Sequence, residues 1–329
     1  MNKSLYSICA AILACSIAHG QTTAYTNPVG YTTQTLAANS FSLVGFNVLP
    51  STVIASKVTN LSGSDVLDST IDFSTVLPAG KMCVLEITSG AAAGTVQEFN
   101  AWNSTAIHLA LPITGLLAND NYSVRVCVTL QELFSVGFLA GSSFATTADK
   151  VWVPAGAGVY TKYWYKTTSP IGWHTTTTGS NDGGVVNVDI PLVHIDGILV
   201  EKKGTVKDLV MSGEVKKTGS NVYLETGINL VSINPPSGLT LYTAGLQGDI
   251  AGSSFASTAD VVWVPAGSGT YTKYWYKTTS PVGWHTTSTG SNDLGLISSD
   301  VSLPPSIFIQ RKGANKIVTL DVPAGYSGL

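Results

Sequence analysis

The side chains best suited to chemistry in this chain gather in one stretch, and the stretch occurs twice. YTKYWYKTTSPIGWHTTTTGSND runs from Tyr160 to Asp182, and YTKYWYKTTSPVGWHTTSTGSND runs from Tyr271 to Asp293. In an extended strand successive side chains face opposite ways. Val159, Thr161, Tyr163 and Tyr165 then share one face, and Tyr160, Lys162, Trp164 and Lys166 share the other. The second copy repeats that face with Tyr271, Lys273, Trp275 and Lys277. A tryptophan between two lysines belongs on a face that meets water, so this face is expected to be exposed. Tyr160 and Trp164, with Trp173 on the return strand, would then form an aromatic platform for sugar rings or a protein partner. Tyr271, Trp275 and Trp284 would form the second platform. The same residues also suit a hairpin whose aromatic rings pack across strands and against a neighbouring domain. The sequence leaves both readings open.

Other chemistry is sparse. The TGSND segments, Thr178–Asp182 and Thr289–Asp293, offer hard oxygen ligands, but a calcium loop needs several carboxylates and each copy has one. They read as turns. His108, His174, His194 and His285 do not fall at metal-ligand spacings, and no metal or other cofactor is expected. Nucleophile elbows, phosphate loops and dinucleotide fingerprints are missing. The carboxylate pairs present in both copies are Asp149 with Asp182 and Asp260 with Asp293. Strand alternation sets Cys83 inward with Leu85 and Ile87, and Cys127 outward with Arg125 and Thr129. An exported chain could join these two in a disulfide. One buried thiol and one thiol on the sheet surface is the alternative.

The elements that must position these residues are strands. Short runs of Val, Ile, Thr, Tyr and Trp are punctuated by Gly, Pro, Asn and Asp, and no window carries a sustained helical period. The fold class is all-β, with sandwich- or barrel-like domains. Strands are expected at Gly30–Leu36, Met82–Thr88, Thr95–Asn100, Tyr122–Leu130, Val159–Lys166 and Val185–Ile190, among others.

The internal repeat organises the rest. Leu139–Asp182 matches Ile250–Asp293 at 37 of 44 positions, with an offset of 111 residues. SFSLVGFNVLP (Ser40–Pro50) resembles GINLVSINPP (Gly227–Pro236) at an offset of 187. The difference, 187 − 111 = 76, sizes an insertion in the first copy, expected at about residues 51–134. Two homologous β-domains follow, 21–218 with the inserted β-subdomain and 219–329 without it. The segments diverge outside the repeated block and hardly inside it. Either recombination copied the block recently, or both copies must present the same surface.

Residues 1–20 read as a secretory signal peptide. Lys3 is followed by an apolar run from Leu5 to Ile17, with Ala18-His19-Gly20 before Gln21. That run of 13 residues is short of the ~20 needed to span a bilayer, and no later segment suits a transmembrane helix. The chain is therefore expected outside the cytoplasm, in the periplasm, on the cell surface or beyond it. Hydrophobic content is 44% and charged content only 11%, so disorder driven by charge is excluded. A net charge of −3 without a basic cluster argues against nucleic acid as a partner.

TNPVGYTTQTLAANSFSLVGFNVLP, VLEITSGAAAGTV, the GWHT and SNDGG segments and INLVSINPP together resemble a family of secreted bacterial proteins of the verrucomicrobial type. The likeness covers most of the mature chain and rests on turns and strands. It implies export and an all-β fold, and it brings no site residues. The long identical repeat departs from that family's pattern.

These features point to an exported, non-catalytic structural or adhesive protein of the cell envelope or extracellular matrix. Other envelope proteins, or further copies of the chain, would be its partners. A carbohydrate-binding protein using the repeated Trp and Tyr platform, with polysaccharide as its partner, is the alternative. A polysaccharide-active hydrolase is the third reading.

Overall fold

A computed structural model describes residues 28–326 except 157, 235–237, 268 and 324. The expected signal peptide, 1–20, lies outside the described residues. The chain is all-β. It opens with β1 (Val29–Leu36) and β2 (Phe41–Val44). Then come β3 (Thr52–Lys57), β4 (Asn60–Ser62), β5 (Asp65–Leu67), the one-turn helix α1 (Phe73–Val76), β6 (Cys83–Ile87), β7 (Val96–Phe99), β8 (Ala101–Trp102), β9 (Ala106–His108) and β10 (Asn121–Val126). The middle holds β11 (Val128–Thr129), α2 (Leu130–Leu133), β12 (Lys150–Pro154), β13 (Tyr160–Lys166), β14 (Gly172–Thr176), β15 (Pro191–Leu192), β16 (Ile198–Glu201) and β17 (Lys207–Glu214). The last third holds β18 (Ser220–Leu224), β19 (Gly227–Ser232), α3 (Leu246–Asp249), β20 (Val261–Gly267), β21 (Thr270–Lys277), β22 (Gly283–Thr287), β23 (Ser306–Arg311) and β24 (Lys316–Leu320).

Two five-stranded sheets dominate, ordered β14-β13-β12-β16-β2 and β22-β21-β20-β23-β19. All their pairings are antiparallel, and the hairpin register is the same in both: Trp164 faces His174, and Trp275 faces His285. A two-stranded ribbon covers one face of each sheet, β1-β17 in the first case and β18-β24 in the second. Leu36, Leu209 and Met211 from the first ribbon meet Val44, Val151, Ile198 and Trp173. Val222, Leu224, Val318 and Leu320 from the second meet Val231, Val262, Ile307 and Trp284. Each apolar set comes from every second residue of its strands, the period a half-buried sheet requires.

Residues 52–126 build two further sheets, β3-β10-β6-β7 and β4-β5-β9-β8, around a separate core that includes Ile54, Leu85, Ile87, Ile107, Tyr122 and Val124. Among the described residues no sheet closes into a barrel. One expected strand is absent. Val185–Ile190 runs as irregular backbone, with a single bridge from Val185 to His174. Val186 N–H donates to Trp173 O of β14, but further along Gln131 of α2 accepts the Ile190 N–H and Pro191 directly follows, so no continuous ladder forms.

The two large sheets meet through related residues. Asn47 Nδ2 donates to Ile233 O at 2.7 Å, and Asn234 Nδ2 donates to Phe46 O at 3.1 Å. The offset is the same for both pairs, 234 − 47 = 187 and 233 − 46 = 187, so the contact is reciprocal in the manner of a two-fold interface. Gly45 sits in this contact because nothing larger fits: a Cβ there would lie 1.7 Å from Pro305 O.

Candidate binding site

The repeated hairpin does not present an exposed aromatic platform. Trp164, Trp275 and Trp284 are 0% exposed, and Trp173 is buried as well. Tyr163, Tyr165 and Trp173 point into the first core, as alternation requires. The opposite face is covered too. Trp164 lies against Ala145 and Ala148 of the loop before β12, and that loop is laid along the hairpin by a parallel bridge from Ser142 to Lys166. Trp275 lies in the same way against Ala256 and Ala259. Tyr160 and Tyr271 are half-buried. Tyr160 leans on Trp152 at 6.4 Å, and Tyr271 packs edge-on to Phe308 at 5.5 Å.

The flanking lysines have protein partners, which is why they do not mark a wet face. Lys162 Nζ stands 4.2 Å over the Trp152 ring, and Lys273 stands 4.2 Å over Trp263. Lys166 donates to Asp182 at 2.8 Å and Lys277 to Asp293 at 2.9 Å. The histidines complete the same fastening. His174 Nδ1 lies 2.6 Å from Asp182 Oδ1, and its Nε2 lies 2.9 Å from Pro170 O. His285 repeats this with Asp293 and Pro281. Each ring nitrogen faces an oxygen of a different turn. Each imidazole thus ties the proline turn to the TGSND turn. Asn181 Oδ1 accepts from the N–H groups of Thr177 and Thr178, at 3.0 and 3.1 Å. The turn oxygens are spent on the turn itself, and among the described residues no group of three metal-binding side chains occurs.

Hydrogen bonds from Lys166 and His174 hold the Asp182 carboxyl well below the usual carboxylate range. At Asp293 burial opposes ionisation, but the bonds from His285 and Lys277 outweigh it. A depressed folded-state pKa gives stability that is present above the unfolded value of about 3.9 and is lost as pH falls through the folded one. We expect the urea midpoint of the wild type to fall steeply below about pH 4. The Asp182→Asn, Asp293→Asn double variant should be weaker at neutral pH and should show a shallower acid slope. Equal slopes would remove these carboxylates from the account.

The carboxylates Asp149 and Asp260 are structural anchors, not partners of Asp182 and Asp293. Asp149 accepts from Lys202 Nζ at 2.6 Å and from the N–H groups of Ala140 and Lys203. Asp260 accepts from Arg311 at 2.6 Å and from the N–H groups of Ala251 and Lys312.

Cys83 and Cys127 are free thiols, and no bridge joins them. Val126 is the residue opposite Cys83, so Cys127 lies one place out of register for pairing. The expected outward position of Cys127 is also corrected, since both thiols are buried. Burial pushes Cys83 up to about 11 and Cys127, with help from Glu98, up to about 12.

Tyr160 and Tyr271 line two related clefts, each between the hairpin of one large sheet and the edge strand of the other. The Tyr160 cleft, about 440 Å³, also holds Glu98 and Asp196. Burial, reinforced by the Glu98 charge, raises Asp196 to about 7. This favours the uncharged acid and makes the cleft less acidic than its residue count implies. At the aligned position the second unit has Pro305, so this carboxyl has no counterpart in the Tyr271 cleft.

A third cleft, about 490 Å³, opens between the 52–126 unit and the end of β17. The sheet β3-β10-β6-β7 turns Leu85, Ile87, Tyr122 and Val124 to its own core. Alternation therefore sends Glu86, Ser123 and Arg125 to the opposite face, where Glu214–Thr218 covers them and leaves the groove. A buried charge network forms the floor. Arg125 donates to Glu86 at 2.7 Å and to Glu214 at 3.4 Å, and Lys216 donates to Glu86. Thr52 donates its N–H and hydroxyl to the two Glu214 oxygens, at 2.9 and 2.7 Å. Burial drives Lys216 down to about 7 and also lowers Arg125, whose charge Glu214 supports. Arg125 Nε is buried with no hydrogen-bond partner. Lys57 and Lys217 stand at the rim, and among the described residues neither has an ion-pair partner. Sequence reasoning missed this cleft because Glu86 and Lys216 lie 130 residues apart. The alternation of polar residues along Asn121, Ser123 and Arg125 was the signal available.

Among the described residues no helix is long and apolar enough to cross a membrane. No protein-family model, curated protein or solved structure matches the chain.

Proposed function

We propose that this chain is an exported, non-catalytic structural or adhesive protein of the cell envelope or extracellular matrix, built from two homologous β-units in tandem. The observation that carries the reading is what the repeated block leaves at the surface. Its tryptophans and histidines are buried and its aspartates are engaged by lysine and histidine partners, while both copies leave large apolar side chains exposed among the polar turn residues. Phe144 and Phe255 are each 70% exposed, and Ile171 and Val282 are 63% and 56% exposed. Two matched apolar points on one chain suit repeated contacts between molecules. The N-terminal segment and the likeness to secreted bacterial proteins support export.

Sedimentation velocity of the mature protein tests this directly. Concentration-dependent oligomers are expected, and the Phe144→Ser, Phe255→Ser variant should shift toward monomer with unchanged thermal stability. A wild type that stays monomeric at high concentration and binds no envelope fraction would overturn the proposal. Carbohydrate binding remains the second reading, now moved from the buried tryptophans to the polar cleft above Arg125.

A further inference from the structure

We infer that the cleft between the 52–126 unit and the end of β17 is a binding site for a small polyhydroxylated carboxylate, the chemistry of a uronic acid sugar. Its volume, about 490 Å³, falls within the range of small-molecule sites, roughly 300–1,000 Å³. Its charge is distinctive in an acidic chain. The floor sets Arg125 and Lys216 against Glu86 and Glu214, which leaves it neutral with Lys216 protonated and one charge negative with Lys216 neutral. Lys57 and Lys217 at the rim remain uncompensated, so the cleft carries a net positive charge while the chain carries −3.

The neutral groups around these charges suit hydroxyls. Thr88 and Asn121 line the wall beside Lys57, and Asn121 pairs with Lys57 across the sheet. The floor is built before any ligand arrives, because both Glu214 oxygens and both Glu86 oxygens are already bonded. Arg125 lines this floor as well, and its buried Nε has no hydrogen-bond partner. A ligand carboxylate would be held by the rim lysines, with its hydroxyls meeting Asn121 and Thr88. A neutral sugar would leave the lysines unanswered, and a purely anionic ion such as sulfate would leave the wall unused.

The test is calorimetric titration of the full mature chain with digalacturonate, with galactobiose as the neutral control. Digalacturonate should bind and weaken as salt rises, and galactobiose should bind at least about tenfold more weakly, the equivalent of about 1.4 kcal/mol. The Lys57→Ala, Lys217→Ala variant changes only rim side chains, so it should keep the wild-type thermal midpoint and lose about tenfold in affinity. Arg125→Gln should lose binding as well, and the rim variant decides the matter if that protein misfolds. Absent binding to digalacturonate, equal binding of galactobiose, or unchanged affinity in the rim variant would each overturn the inference. The site does not rest on the contact-making role proposed above. A chain that assembles normally but ignores digalacturonate would refute this site alone.

Discussion

Replacing Trp164 or Trp275 with alanine is expected to destabilise the fold by about 3–5 kcal/mol each. Both rings are fully buried, and each stacks at a tilt against the histidine opposite, 5.4 Å away. Truncation removes the transfer energy of the largest side chain and leaves a cavity beneath a loop pinned at both ends. The sites lie in different sheets and share no partner, so the double variant should lose nearly the sum. That sum approaches or exceeds the total stability of a typical domain, about 5–15 kcal/mol. Chemical denaturation of the single variants checks this. An exposed platform would behave otherwise, with changes inside about 0.5 kcal/mol.

Removing the carboxylate of Asp149 or Asp260 should cost a comparable amount, about 3–5 kcal/mol, because it strands a buried charge. Lys202 is 4% exposed and Arg311 is 10% exposed at the side chain. Each aspartate also satisfies two backbone N–H groups, and these would be orphaned too. Pairing Asp149→Leu with Lys202→Met should recover only part of the loss. The double change removes the stranded charge but not the unpaired N–H groups of Ala140 and Lys203. Urea midpoints of the single and double variants give the comparison, and full recovery would show that the backbone bonds contribute little.

The fold class was legible because strand periodicity is local. Tyr163 and Tyr165 alternate with Trp164, and the turn at Ser169–Pro170 separates two runs of β-formers. Parity placed Tyr163, Tyr165 and Trp164 on the correct opposite faces. Parity cannot say whether the second face meets water or a folded-back loop. Here the loop through Ala145 and Ala148 covers it, and the lysines that suggested solvent are engaged by Trp152 and Asp182.

The same limit explains Cys127 and the polar cleft. Cys127, just past β10, is buried beside Met82, Asn100 and Pro191, and Arg125 lies on the face of β10 that was expected to be wet. Glu214–Thr218 reaches it from a distant part of the chain, and no local pattern announces such a contact. Asp149 was visible as a repeated carboxylate, but its partner was not, because Lys202 lies 53 residues away, just past the end of β16.

The central claim is that the duplicated hairpin fastens each sheet internally and shows none of its tryptophans to a ligand. Hydroxyl-radical footprinting of the native mature protein, mapped by peptide, tests it most directly. Trp164, Trp173, Trp275 and Trp284 should be protected to the degree of core leucines, while Phe144 and Phe255 label readily. Labelling of Trp164 and Trp275 at the rate seen in the urea-unfolded chain would contradict it.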